Sequence, residues 1–170
     1  MWSGEPRAYS EITPQLFAMY YLTNTTRENG CLRVIPGSHR RRHALHDAIG
    51  TAHTSATRQM QDPDSPLYAA AAGEVDVLAR AGDLVLGDGR ALHATHANRS
   101  DQERTVITLW YHPMFSDQQE ATQAQITGLA QAEIQAWPPS ARKAIAPLVA
   151  NYAGSAVPLP RDRVPGPQFR

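Results

Sequence analysis

Short apolar segments, each closed by glycine, proline or asparagine, constrain this chain more than any other feature. "QLFAMYYLTN" (15–24) is apolar and aromatic and ends in turn formers, while "CLRVI" (31–35) follows Asn29-Gly30 and stops at Pro36-Gly37. "EVDVLAR" (74–80) alternates polar and apolar residues, and "GDLVLGDG" (82–89) lies between glycines. "ALHATHA" and "RTVITLWYHP" then flank the polar stretch "NRSDQE". Segments of this length and spacing read as strands, and their Gly and Pro punctuation marks sharp turns. The chain is therefore expected to be mainly β, a small jelly roll or barrel with helices added later. Asn29-Gly30 predicts a hairpin between 15–22 and 31–35, and "NRSDQE" predicts a second one.

Two regions do not fit the strand pattern. Residues 40–73, "RRRHALHDAIGTAHTSATRQMQDPDSPLYAAAAG", are polar and lack sustained periodicity. A segment that long inside a compact domain is expected to be functional, here a lid over a site. After Pro113 the pattern turns helical: Ile126, Leu129, Ala130, Ile134 and Trp137 share helical spacing, with Ser116 as candidate N-cap. Pro138-Pro139 ends that helix, "SARKAIAPLVANYAG" predicts another ending at Gly154, and the proline-rich tail "VPLPRDRVPGPQFR" is expected to be extended. The expected organisation is one domain, with a β core over 1–113 and helices and tail over 114–170.

Bulk properties exclude several function classes. The formal charge is +0, with 16 basic and 16 acidic residues, so no basic stripe points to nucleic acid and no acidic tail to a charged partner. No apolar run approaches the roughly 18 residues of a membrane span. The single cysteine, Cys31, cannot form an internal disulfide, which suits a reducing cytoplasm. The N-terminus "MWSGEPRAYS" has no secretory pattern.

His93 and Thr95 alternate onto one face of their strand. If the second hairpin closes around Asn98-Arg99, Arg104 lies opposite His93, with β-carbons roughly 5 Å apart. An imidazole there can bind a metal, and a guanidinium offers a planar fork for a carboxylate. Thr95 adds a hydroxyl. A metal ligand, a carboxylate clamp and a hydroxyl together suit a chelating keto-acid.

Two blocks, "NGCLRVIPGSHR" (29–40) and "GDLVLGDGRALHATHANRSDQERTVITLWY" (82–111), resemble the phytanoyl-CoA dioxygenase-like (PhyH) branch of the Fe(II)/2-oxoglutarate oxygenases. The resemblance implies a double-stranded β-helix of the jelly-roll, cupin-like kind, Fe(II) as metal, 2-oxoglutarate as co-substrate and a small-molecule substrate. It implies that His93 is the second histidine of a 2-His-1-carboxylate triad. Arg104, eleven residues on, is then the clamp on the distal carboxylate of 2-oxoglutarate, with Thr95 touching the same group. Ser38 and His39 of "PGSH" are expected to be structural. The family's HxD pair is absent from the chain. In relatives that pair precedes a tryptophan like Trp2, so a start placed after the missing ligands is the favoured reading. The alternatives are recruitment of His43, His46, Asp47 or His53, and a barrel that binds a small carboxylate without iron.

Overall fold

The computed structural model describes residues 13–48 and 68–159, which divide into two compact units at Pro113 and Met114. Trp2, His53 and most of the expected lid lie outside the described residues.

Among the described residues the first unit has six strands: β1 (Leu16–Tyr21), β2 (Leu32–Val34), β3 (Val75–Val77), β4 (Leu84–Asp88), β5 (His93–Thr95) and β6 (Val106–Tyr111). They form two three-stranded antiparallel sheets, ordered β4-β1-β6 and β3-β2-β5. Along the chain only β2 and β3 are both consecutive and paired; every other connection crosses from one sheet to the other. That alternation is the winding of a double-stranded β-helix, the jelly-roll fold the sequence leads one to expect.

Both expected hairpins are therefore absent. β1 pairs with β4 and β6, and β2 with β3 and β5. The reason lies in burial. Phe17, Met19 and Tyr21 project from one face of β1 and pack with Leu32 of β2, Ala79 and the flanking Val77, Val85 and Val106. Two apolar faces buried against each other require two layers, not one ladder. Burying each large side chain of that cluster contributes about 1.5–3 kcal/mol, well above one exchanged backbone hydrogen bond.

Asn29-Gly30 still turns the chain, but as a corner. Asn29 Oδ1 accepts from the Thr26 N–H (2.7 Å) and its Nδ2 donates to the Asn24 carbonyl (2.9 Å). Gly30 has φ +92°, and a β-carbon there would stand 2.9 Å from the His96 carbonyl oxygen. Only glycine meets both demands. The 96–105 connection docks on the same corner: the Arg99 N–H donates to Glu28 and the Thr105 N–H to Thr23 Oγ1. It thereby delivers β6 to the other sheet.

The opposite face of the β4-β1-β6 sheet is apolar as well, and Tyr20, Leu84, Leu86, Ile107 and Leu109 are exposed there.

Between β2 and β3 in sequence, α1 (Leu45–Ala48) is the one helix among the described residues of the 40–73 segment. The second unit holds α2 (Glu120–Ile134) and α3 (Pro139–Ile145). Ser116 is not the cap of α2: it sits in a 3-10 turn (Phe115–Asp117), and Gln119 occupies the cap position. Pro139 opens α3, where its missing N–H costs nothing. The helix gives way to a 3-10 turn at Ala146–Leu148, short of Gly154, because Pro147 cannot donate a helical bond. Among the described residues no helix is long and apolar enough to cross a membrane.

Candidate active site

His93 opens β5 opposite Val34, and Thr95 lies opposite Leu32. Directly paired residues share a face, so both project to the side on which Leu32 joins the core. The His93 ring meets Phe17 of the opposite sheet at a centroid distance of 5.2 Å. Phe17 in turn packs edge-on against Trp110 at 6.0 Å. Gly87 makes room for that arrangement. It pairs with Phe17, and a β-carbon at 87 would overlap the phenyl ring.

The imidazole is oriented by its own chain. His93 Nδ1 lies 2.8 Å from the Ala91 carbonyl, which can only accept, so Nδ1 carries the proton. Nε2 is then the lone-pair nitrogen, and it has no hydrogen-bond partner among the described residues. A histidine whose Nδ1–H is tied to a backbone carbonyl is the arrangement metal-binding imidazoles adopt.

Two buried devices fix the approach to β5. Asp88 and Arg90 form an ion pair at 2.6 Å, with side chains 14% and 4% exposed. Asp88 Oδ1 also accepts from the Arg90 backbone N–H at 2.8 Å. Burial alone would raise the Asp88 pKa, but the Arg90 hydrogen bonds and charge hold it below the ordinary 3.8. Ser38 supplies the second device. Its hydroxyl donates to the Ile35 carbonyl (2.7 Å) and accepts from the Leu92 N–H (2.8 Å), so the "PGSH" turn is sewn to the residue before His93. Ser38→Ala is expected to cost about 1–3 kcal/mol, because the Leu92 N–H loses its acceptor. Urea unfolding measures the loss, and an unchanged midpoint would remove Ser38 from this role.

Arg104 does not lie across a hairpin from His93. It precedes β6, whose partner is β1, whereas β5 pairs with β2. The 96–105 connection is a corner between sheets, so His93 opens a strand of one sheet and Arg104 leads into a strand of the other. Arg104 is placed by its neighbours. Its Nε would lie 3.5 Å from a β-carbon at Gly30. Its charge opposes the rise that burial imposes on the Tyr21 pKa. It forms no ion pair or hydrogen bond among the described residues. Thr95 stands between the two: it is one pairing step from His93 and adjacent to His96, whose N–H donates to Cys31 at the Gly30 corner.

The remaining candidates point elsewhere. His43 and His46 satisfy each other's backbone, with the His43 N–H donating to His46 Nδ1 at 3.0 Å. Burial lowers the His46 pKa, and Asp47 pairs with Arg42 at 2.6 Å. His112 hydrogen-bonds the Pro14 carbonyl. Among the described residues no group of three metal-ligating side chains includes His93. One imidazole does not by itself fit Fe(II), whose selective binding needs the full facial set.

Sequence reasoning missed Phe17 and Trp110, which line the space beside His93, and the Asp88–Arg90 pair. The Asp-x-Arg spacing in "GDGR" carries that last signal, since adjacent same-face residues of a turn can bond each other.

Comparison with solved structures finds similarity to HygX from Streptomyces hygroscopicus with nickel and 2-oxoglutarate bound. The identity is 22% and the TM-score 0.47, over 60% of this chain and 37% of that one. The carbocyclase SnoK from nogalamycin biosynthesis is similar at 28% identity and TM-score 0.39, over 60% of this chain and 37% of that one. EctD from S. alaskensis, with 2-oxoglutarate and 5-hydroxyectoine, is similar at 24% identity and TM-score 0.40, over 58% and 30%. The chain thus spans between 30% and 37% of the length of these proteins. No curated protein matches it. The profile of phytanoyl-CoA dioxygenase (PhyH) matches residues 2–106, more than half of the chain, and covers both sheets up to the start of β6. The chain belongs to the phytanoyl-CoA dioxygenase (PhyH) family.

Proposed function

We propose that this chain carries the second-histidine and co-substrate side of a non-haem Fe(II)/2-oxoglutarate-dependent dioxygenase acting on a small molecule. The observation that carries the reading is His93, with Nδ1 held by Ala91 and Nε2 presented beside Phe17. Fe(II) with 2-oxoglutarate would supply oxygen activation, with succinate and CO2 as co-products. The described residues provide one ligand of that metal, so the roles that follow concern binding and orientation only.

Arg104 binds the distal carboxylate through its planar fork. Thr95 donates its hydroxyl to the same group, and Phe17 packs against the imidazole with Trp110 at its edge. The separation is suited to this. Phe17 and Tyr21, which neighbour His93 and Arg104 respectively, are four residues apart on β1, a rise of about 13 Å. Anchors on that scale hold an ion and an extended dicarboxylate between them; anchors in direct contact would not. The 40–73 segment is assigned as the lid over the substrate.

A second reading is favoured by the lone imidazole: a family member that binds a small carboxylate without metal. One experiment separates the two. Saturation-transfer NMR on the full chain detects bound 2-oxoglutarate, and added Mn(II) broadens its resonances if the ion binds beside it. Broadening that is lost in His93→Ala supports the dioxygenase reading and requires ligands besides His93 to complete the set. Bound 2-oxoglutarate without broadening gives the metal-free reading, and no bound 2-oxoglutarate removes both.

A further inference from the structure

The face of the β3-β2-β5 sheet turned away from His93 holds a second cluster of donors. Strand alternation sends Leu32, Val77 and Thr95 to one side and Arg33, Asp76 and Ala94 to the other, with Cys31 and His96 continuing that second set beyond β2 and β5. On this side the Cys31 sulfur, an Asp76 carboxylate oxygen and a His96 ring nitrogen all lie within 4.8 Å of one another. His96 Nε2 and Asp76 Oδ1 are already in contact at 2.6 Å.

We propose that Cys31, Asp76 and His96 form a cation site for a zinc-class divalent ion, separate from the His93 site. The donor set decides the class. Thiolate, imidazole and carboxylate are the three ligand types zinc accepts, and together they disfavour calcium and magnesium, which take oxygen. Bonds of about 2.0–2.3 Å put tetrahedral donors roughly 3.5 Å apart, so the Cys31 sulfur need close in, and His96 and Asp76 part, only by about an ångström. Water completes the fourth position.

The surroundings are compatible with this. The Cys31 side chain is fully buried, and its thiol makes no hydrogen bond among the described residues. Burial, followed by the Asp76 charge, keeps that thiol protonated in the ion-free fold. On binding, the ion displaces the thiol proton to solvent and inserts between His96 and Asp76. Two arginines bear on the site: Arg27, 3.9 Å from Asp76 with its side chain 66% exposed, can swing into water, and the charges of Arg27 and Arg104 both favour the Cys31 thiolate. Arg33, which also projects from this face, is engaged by Glu74 at 3.2 Å. The three donors come from three strands or strand ends, so a bound ion would cross-link the whole sheet.

Co(II) titration of the full metal-free chain tests the site, because a cysteine ligand gives a near-ultraviolet thiolate-to-cobalt absorption that histidine and carboxylate do not. A saturable band at one equivalent, bleached by Zn(II), is expected. His96→Ala should weaken it beyond the roughly 10–100-fold typical of losing an outer partner, and Cys31→Ser should abolish it. His93→Ala should leave it unchanged, which separates this site from the proposed dioxygenase site. No band in folded wild type would overturn the site, as would a band that survives both His96→Ala and Asp76→Asn. If Cys31→Ser does not fold, the variants of the less buried His96 and Asp76 decide the matter alone.

Discussion

Replacing Asp88 with alanine is expected to cost about 3–5 kcal/mol, the usual result of removing one partner from a buried ion pair. Arg90 is 4% exposed and would keep its charge without the carboxylate that now sits 2.6 Å away. For a unit of this size such a loss lowers Tm by on the order of 10–20 °C. Asp88→Asn should cost less, since the amide oxygen still accepts from the Arg90 backbone N–H. The effect has a definite pH dependence. The folded pKa of Asp88 lies below its ordinary 3.8, so the pair's contribution is complete above that ordinary value and is lost as pH falls through the folded one. Wild type and Asp88→Ala should therefore differ most near neutrality and converge in strong acid. Denaturant midpoints across that range measure it, and equal midpoints at pH 7 would show the pair to be dispensable. Because the pair sits between β4 and β5, ligand binding at His93 should fall with stability.

The second large effect is expected at Arg104. Alanine there should weaken 2-oxoglutarate binding by about 2–5 kcal/mol, from roughly thirtyfold to several thousandfold, because a charged carboxylate would lose its counter-ion. Arg104→Lys should recover part of the affinity. It keeps the charge but not the planar fork. Stability should change little, as Arg104 makes no ion pair among the described residues. Binding by saturation-transfer NMR, set beside the denaturant midpoint, separates the two readouts. Undiminished binding in Arg104→Ala would remove the clamp from its assigned role.

Much of this architecture was legible in the residues. Glycine and proline marked nearly every strand end, and the apolar spacing after Pro113 marked the helix at Glu120–Ile134. What failed was pairing. Asn29-Gly30 and "NRSDQE" are local turn signals, and a local signal cannot tell a hairpin from a corner between sheets. The deciding quantity is which faces bury each other, as Phe17, Met19 and Tyr21 do with Leu32. The same error put Arg104 directly across from His93, although Arg104 leads into a strand of the other sheet. His93 itself could be found from its motif. Phe17 could not, because its closeness depends on a strand seventy residues away in sequence. The apolar outer face of β1, β4 and β6 also escaped notice, since a continuous apolar run reads simply as a buried strand.

Gly87 and Phe17 have a consequence for how this pocket can change. The phenyl ring occupies the space where a side chain at 87 would stand, so the two positions share one fixed volume under the imidazole. Neither can grow unless the other shrinks. A bulkier residue at 87 would drive the ring toward His93, and a smaller residue at 17 would open a hollow that 87 could then fill. Change beside the imidazole must therefore proceed by paired substitutions at these two positions.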